Sequence, residues 1–225
     1  MHKISYFIFS LNVFSNLLVI LGSGIFVFTY GPIIYSEIGY RLFKHENNVE
    51  VVMDESVDLV TDEIKPDDTY SGIEKVKAIN DDFAIIIPKI EVNAPIVEDV
   101  SVANSDQYMA ALREGVAHAK GTTLPGDEGN MFLFAHSSIN FWQLGPYATV
   151  FNLLNKLKPE DLVFVVKDSK TYIYKVKSTR IVAGWNTDPF YEEHEGSVLT
   201  LITCYPPGTT VNRFVVTAVY IGIQD

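Results

Sequence analysis

The 225 residues fit one ordinary domain with additional segments, and 48% hydrophobic against 20% charged residues supplies enough apolar material for a packed core. A formal net charge of −11 without any basic stripe excludes a reader of phosphate backbones, so no nucleic-acid partner is expected. One cysteine excludes an intramolecular disulfide. It leaves a lone thiol that reads either as a small buried hydrophobe or, in an exported protein, as a reactive group.

No charged residue occurs from Ile4 to Ser36, and the run is dominated by Phe, Leu, Ile and Val. About 20 apolar residues cross a bilayer core of about 30 Å, so residues 1–45 are read as a membrane anchor with its juxtamembrane segment. The competing reading is a cleaved signal peptide, but Leu21-Gly22-Ser23-Gly24 is a poor cleavage site and the run is long for one. Lys3 before the span and Arg41 and Lys44 after it slightly oppose an N-terminus in the cytoplasm. Residues 46–80 carry ten acidic side chains against Lys65, Lys75 and Lys77, a composition that predicts a solvated stalk.

From residue 81 the pattern turns to strands. Runs rich in Val, Ile, Tyr and Phe at 83–87, 94–97, 130–135, 162–166, 172–176, 181–183, 198–202 and 214–221 are separated by Gly, Pro, Asp and Asn. Residues 162–166 are apolar on both faces and predict a central strand, whereas 172–177 alternates and predicts one solvated face. Asn104 is placed to cap a helical turn through Leu112, and 150–157 reads as a short amphipathic helix ended before Pro159. Seven or eight short strands predict a mainly β domain over residues 81–225, a barrel or sandwich.

Cys204 lies just past the apolar run 198–202 and just before Pro206-Pro207-Gly208, at a strand end where a sheet fixes the backbone of a nucleophile. Arg213 opens the next predicted strand. If the two strands pair, its guanidinium faces the thiol, where it would favour the thiolate and donate to an oxyanion. His136 ends the run 130–135, and an imidazole there suits proton transfer to and from an amine. Taken singly, Arg213 also reads as a solvated edge charge and His136 as a cap. Of the other histidines, His2, His45 and His194 lie in unpromising contexts and only His118 in a structured one. No His-Glu-x-x-His, second cysteine or helically spaced histidine pair occurs, so no metal ligand is expected.

Together these segments resemble the sortase family of cysteine transpeptidases. Five stretches carry the resemblance in order: Ile87-Pro88-Lys89-Ile90 with Ala94-Pro95-Ile96; Gly115-Val116-Ala117-His118 leading to Gly121-Thr122-Thr123-Leu124-Pro125-Gly126; Gly129 through His136; Thr200-Leu201-Ile202-Thr203-Cys204; and Arg213. The resemblance implies an eight-stranded closed β-barrel after one N-terminal transmembrane helix, with Cys204, His136 and Arg213 catalytic. Thr203 is implied as a contact to substrate or oxyanion, and His118 as a supporting residue near the site. It also implies cleavage of a Leu-Pro-x-Thr-Gly-like sorting signal between Thr and Gly through a thioester. An amine of a peptidoglycan precursor or a pilin lysine then takes the acyl group, outside the cytoplasmic membrane. The partners would be secreted proteins with C-terminal sorting signals, the amine acceptor and the bilayer. No cofactor is required by that chemistry. Calcium is the one candidate, through the acidic loop 188–195 with Asp127 and Glu128, but the spacing fits no defined calcium loop and reads as solvated charge. The rival functions are a membrane-anchored cysteine peptidase and a non-catalytic peptide-binding β-domain. The order His before Cys opposes the papain-like arrangement.

Overall fold

The computed structural model describes residues 13–27, 77–138 and 144–224. Helix α1 (13–27) is exposed along its whole length. At 15 residues it spans about 22 Å, and no helix among the described residues is long and apolar enough to cross a membrane. The expected anchor extends on both sides of α1, and most of the stalk likewise lies outside the described residues.

Eight strands close into a barrel: β1 (Phe83–Ile87), β2 (Val92–Val100), β3 (Val116–Ala119), β4 (Gly129–Phe134), β5 (Leu162–Lys167), β6 (Lys170–Ala183), β7 (Ser197–Tyr205) and β8 (Asn212–Gln224). Their order around the wall is β1-β2-β3-β4-β7-β8-β6-β5. All neighbours are antiparallel except β2–β3 and β4–β7, which are parallel. Period-two alternation sorts the side chains. Ile85, Ile87, Val163, Val165, Leu199, Leu201 and Val216 point into the barrel core. Ala84, Ile86, Phe164 and Val166 lie on the outer face of β1 and β5, in a second cluster joined by Ala78. The segment before β1 is pinned there by Asn93, whose Oδ1 accepts from Ile79 N and whose Nδ2 donates to Lys77 O. A second apolar layer thus explains why β5 is apolar on both faces.

The two runs predicted at 172–176 and 181–183 form one strand. The polar stretch Lys177–Arg180 interrupts the apolar pattern, but its backbone stays paired to β8 through a register shift between Val176 and Ser178. Strand β3 is too short to show a period. Helix α2 (Ser105–Glu114) begins where expected, with Asn104 Oδ1 accepting from Gln107 N at 3.1 Å. It ends at Gly115, where a Cβ would lie 2.2 Å from the Pro95 carbonyl oxygen, so only glycine lets β3 start this close to β2. The amphipathic helix expected at 150–157 is absent. Turns lead there to one 3-10 turn (Leu154–Lys156), with Leu154 N bonded to Phe151 O and Leu157 N to Leu154 O. The buried residues Phe151, Leu154 and Leu157 recur every three positions, the 3-10 period. A four-residue helix, α3 (Asp188–Tyr191), interrupts the β6–β7 connection and was not foreseen.

Candidate active site

Strand β7 lies between β4 and β8, and the register across the three decides which side chains meet. Cys204 pairs directly with Arg213 across the antiparallel β7–β8 ladder. Directly opposed residues share a face, with Cβ atoms about 4.5–5.5 Å apart. Ile202 and Val215 pair on that face, while Leu201–Val216 and Thr203–Phe214 alternate to the other. On the other side of β7, Phe134 pairs with Ile202 in the parallel ladder. Two residues further along both strands come His136 and Cys204. Ala135 N donates to Ile202 O at 3.3 Å, and Thr203 Oγ1 donates to Ala135 O at 2.8 Å, so the seam stays closed up to the site.

Sulfur, imidazole and guanidinium therefore stand at the neighbouring ends of three adjacent strands, the imidazole two residues past the end of β4, on the outer face of the wall. They line a single cleft of about 600 Å³. Its floor is Phe132, Phe134 and Ile202. Tyr108, Met109 and Leu112 of α2 form one side, and Pro189, Phe190 and Tyr191 of α3 the other. The cleft is thus mostly apolar, with polar groups concentrated at the Cys204 end.

His136 is fixed through its backbone, its carbonyl accepting from Phe151 N at 3.2 Å. Its Nε2 is buried without a hydrogen-bond partner, and burial holds the imidazole below its ordinary value of 6.5, so the ring is neutral at neutral pH. Arg213 Nη1 donates to the carbonyls of Thr210 and Asn212, both at 3.1 Å, which orients the guanidinium plane. Gly208 N donates to Ser137 O at 2.7 Å, tying the β7–β8 turn to the histidine loop.

The two expected supporting residues are placed differently. Thr203 lines the cleft beside Cys204 but is buried, and its hydroxyl donates to the Ala135 carbonyl, so it braces the β4–β7 seam. His118 does not line the cleft. It pairs with the core residue Leu133, whereas the cleft residue Phe134 pairs with Ala117, so its ring lies on the opposite face of the sheet. Its Nε2 lies 2.9 Å from Thr122 Oγ1 and 3.1 Å from Thr123 O. Thr122 Oγ1 already donates to Ala119 O, so Nε2 is the protonated nitrogen. Burial holds this imidazole below its ordinary value as well.

Among the described residues no three His, Cys, Asp or Glu side chains converge as metal ligands. Within the acidic loop, Glu192 is bound to Arg180.

A closed eight-stranded barrel with a thiol, an imidazole and a guanidinium at the ends of adjacent strands of its wall defines a narrow class. The sequence model of the sortase domain matches residues 85–221, and the chain belongs to the sortase family. It is 28% identical over 133 residues to sortase D of Bacillus subtilis, a match covering 58% of this chain and 59% of that protein. The chain thus spans under two thirds of that relative's length. Among solved structures it resembles sortase C-1 from Actinomyces oris, at 31% identity and a TM-score of 0.51, covering 64% of this chain and 75% of that one. It also resembles a Clostridium perfringens sortase C solved with the C-terminal cell wall sorting motif, at 27% identity and a TM-score of 0.50, covering 61% of this chain and 69% of that one.

Proposed function

We propose that the chain is a membrane-anchored cysteine transpeptidase that cleaves a Leu-Pro-x-Thr-Gly-like sorting signal and joins its acyl part to an amine. The observation that carries this reading is the meeting of Cys204, His136 and Arg213 in one cleft at the ends of three adjacent strands. Membership of the family and the apolar cleft beside the thiol support it, since a Leu-Pro segment needs apolar walls.

The reaction follows from the groups present. The neutral His136 ring takes the Cys204 proton as sulfur attacks the threonine carbonyl. Arg213 stabilises the oxyanion that forms; losing one such donor typically costs about 10²–10³ in rate. The carbon–nitrogen bond breaks as the imidazolium returns its proton to the departing glycine amine, leaving a thioester on Cys204. A second amine attacks the thioester and loses its proton to His136, and the thiolate departs. The thioester conserves the energy of the cleaved peptide bond, so no nucleotide enters. An apolar N-terminal segment from Ile4 to Ser36 would hold the barrel at the outer membrane surface, within reach of a lipid-borne peptidoglycan precursor or a pilin lysine.

Cys204→Ala is expected to keep the barrel folded by circular dichroism and to form no thioester with a Leu-Pro-x-Thr-Gly peptide in intact-mass spectra. Turnover equal to that of the unsubstituted enzyme would end the proposal. Incubation with peptide and an amine acceptor should yield the ligated product. Free acid alone, at every amine concentration, would make the protein a peptidase.

A further inference from the structure

Arg180 lies on β6 directly opposite Val215, the residue that pairs on the next strand with Ile202 of the cleft floor. Arg180 therefore stands on the outer, cleft-bearing face of the wall. Its Nη2 lies 2.6 Å from both carboxylate oxygens of Glu192, at the C-terminal end of α3. His194 is the other titratable group beside Glu192, 3.9 Å away. Elsewhere α3 is held more weakly. Asn130 Nδ2 reaches the Pro189 carbonyl at 3.4 Å, and the Phe190 ring meets Phe132 edge-on with centroids 5.2 Å apart. Phe190 in turn packs edge-on against Tyr191 at 5.0 Å. Helix α3 has only four residues, too few to hold itself against the wall by its own hydrogen bonds.

We propose that the Arg180–Glu192 ion pair is a latch that seats the Phe190–Tyr191 wall of the cleft. It then sets how tightly an apolar substrate side chain is held and leaves the rate of acyl transfer alone. The inference deepens the acyl-transfer reading and rests on it for its substrate. Neither residue lines the cleft, so both are positioning residues acting through Phe190 and Tyr191. The pair is partly exposed, which keeps the effect modest and makes it sensitive to salt.

The test compares Glu192→Gln, Arg180→Gln and the exchanged pair Arg180→Glu/Glu192→Arg on two peptides, Leu-Pro-x-Thr-Gly and the same peptide with Ala for Leu. Each single variant should raise KM for the Leu peptide by about fivefold and leave kcat within about twofold, while the Ala peptide changes by less than about twofold. The exchanged pair should recover most of the loss. Equal effects on the two peptides, or a fall in kcat at constant KM, would overturn the latch. A readout independent of activity is amide exchange at Phe190 and Glu192, whose N–H groups donate to Thr187 O and Asp188 O. Exchange there should quicken in the single variants while the β7 and β8 amides keep their rates. Unchanged exchange refutes the latch even in an active enzyme. Quickened exchange in a protein that never acylates upholds the latch and counts against the transfer reading alone.

Discussion

Thr203 Oγ1 spans the β4–β7 seam to the Ala135 carbonyl, one residue before each of two proposed reacting groups. Thr203→Val keeps the shape of the side chain and leaves that buried carbonyl unpartnered, which costs about 1–3 kcal/mol. The expected result is a lowered denaturation midpoint and an acylation rate down by about tenfold. Thr203→Ser should stay close to the parent in both; chemical denaturation and single-turnover acylation measure them. At this scale legibility was uneven, for a physical reason. Cys204 and Arg213 flank one turn, so their pairing followed from sequence as soon as both strands were read. His136 is 68 positions from Cys204, the separation of the Thr203–Ala135 bond, and nothing local signals a parallel pairing at that distance. Its place at the end of an apolar run made it a candidate, and only the family resemblance joined it to Cys204. His118 stands off the cleft through parity: it sits one residue from Ala117, which pairs with Phe134, and a strand reverses faces at each step, so it reaches the cleft floor only through Thr122, whose Oγ1 accepts from Phe132 N. The direction of the Thr203 hydroxyl had no sequence signal at all.

Among the elements, strands with near-continuous apolar runs, such as β1, β5 and β7, were the readable ones, because burial writes itself into such runs. Three features escaped. Strand β6 was split by polar residues whose backbone remains paired, β3 has too few residues to show a period, and α3 is held by tertiary contacts instead of helix propensity. The β6–β7 connection also depends on a close approach at its start. Gly184 N donates to Val211 O at 2.8 Å, and a Cβ on Gly184 would lie 2.3 Å from Thr210 O and 2.8 Å from Val211 O. Both obstacles are backbone atoms and cannot rotate away. Gly184→Ala should therefore push the β6–β7 connection and the β7–β8 turn apart at the Arg213 end of the cleft. Stability should fall by about 1–3 kcal/mol in denaturant, with a larger fractional loss in kcat/KM than Thr203→Ser shows.

For the molecule as a whole, one buried and one part-buried imidazole make folding stability depend on pH. His118 and His136 both have folded values below 6.5, so between those values and 6.5 the unfolded chain binds more protons than the folded one. Stability is then complete above about pH 7.5, and is lost as the pH falls through 6.5 towards the folded values. Denaturation at pH 7.5, 6.5 and 5.5 should show midpoints dropping in that order, and His118→Gln should flatten the trend without abolishing it.

Competence also has a date of birth. Because the seam between β4 and β7 joins segments made far apart in time, a half-synthesised chain holds a histidine loop with no partner, and a lone C-terminal hairpin holds a thiol with no base. On the proposed chemistry neither piece can take an acyl group from a peptide. The thiol emerges among the last residues of the chain, and it would threaten peptide bonds only in the final step, when the wall of the barrel shuts.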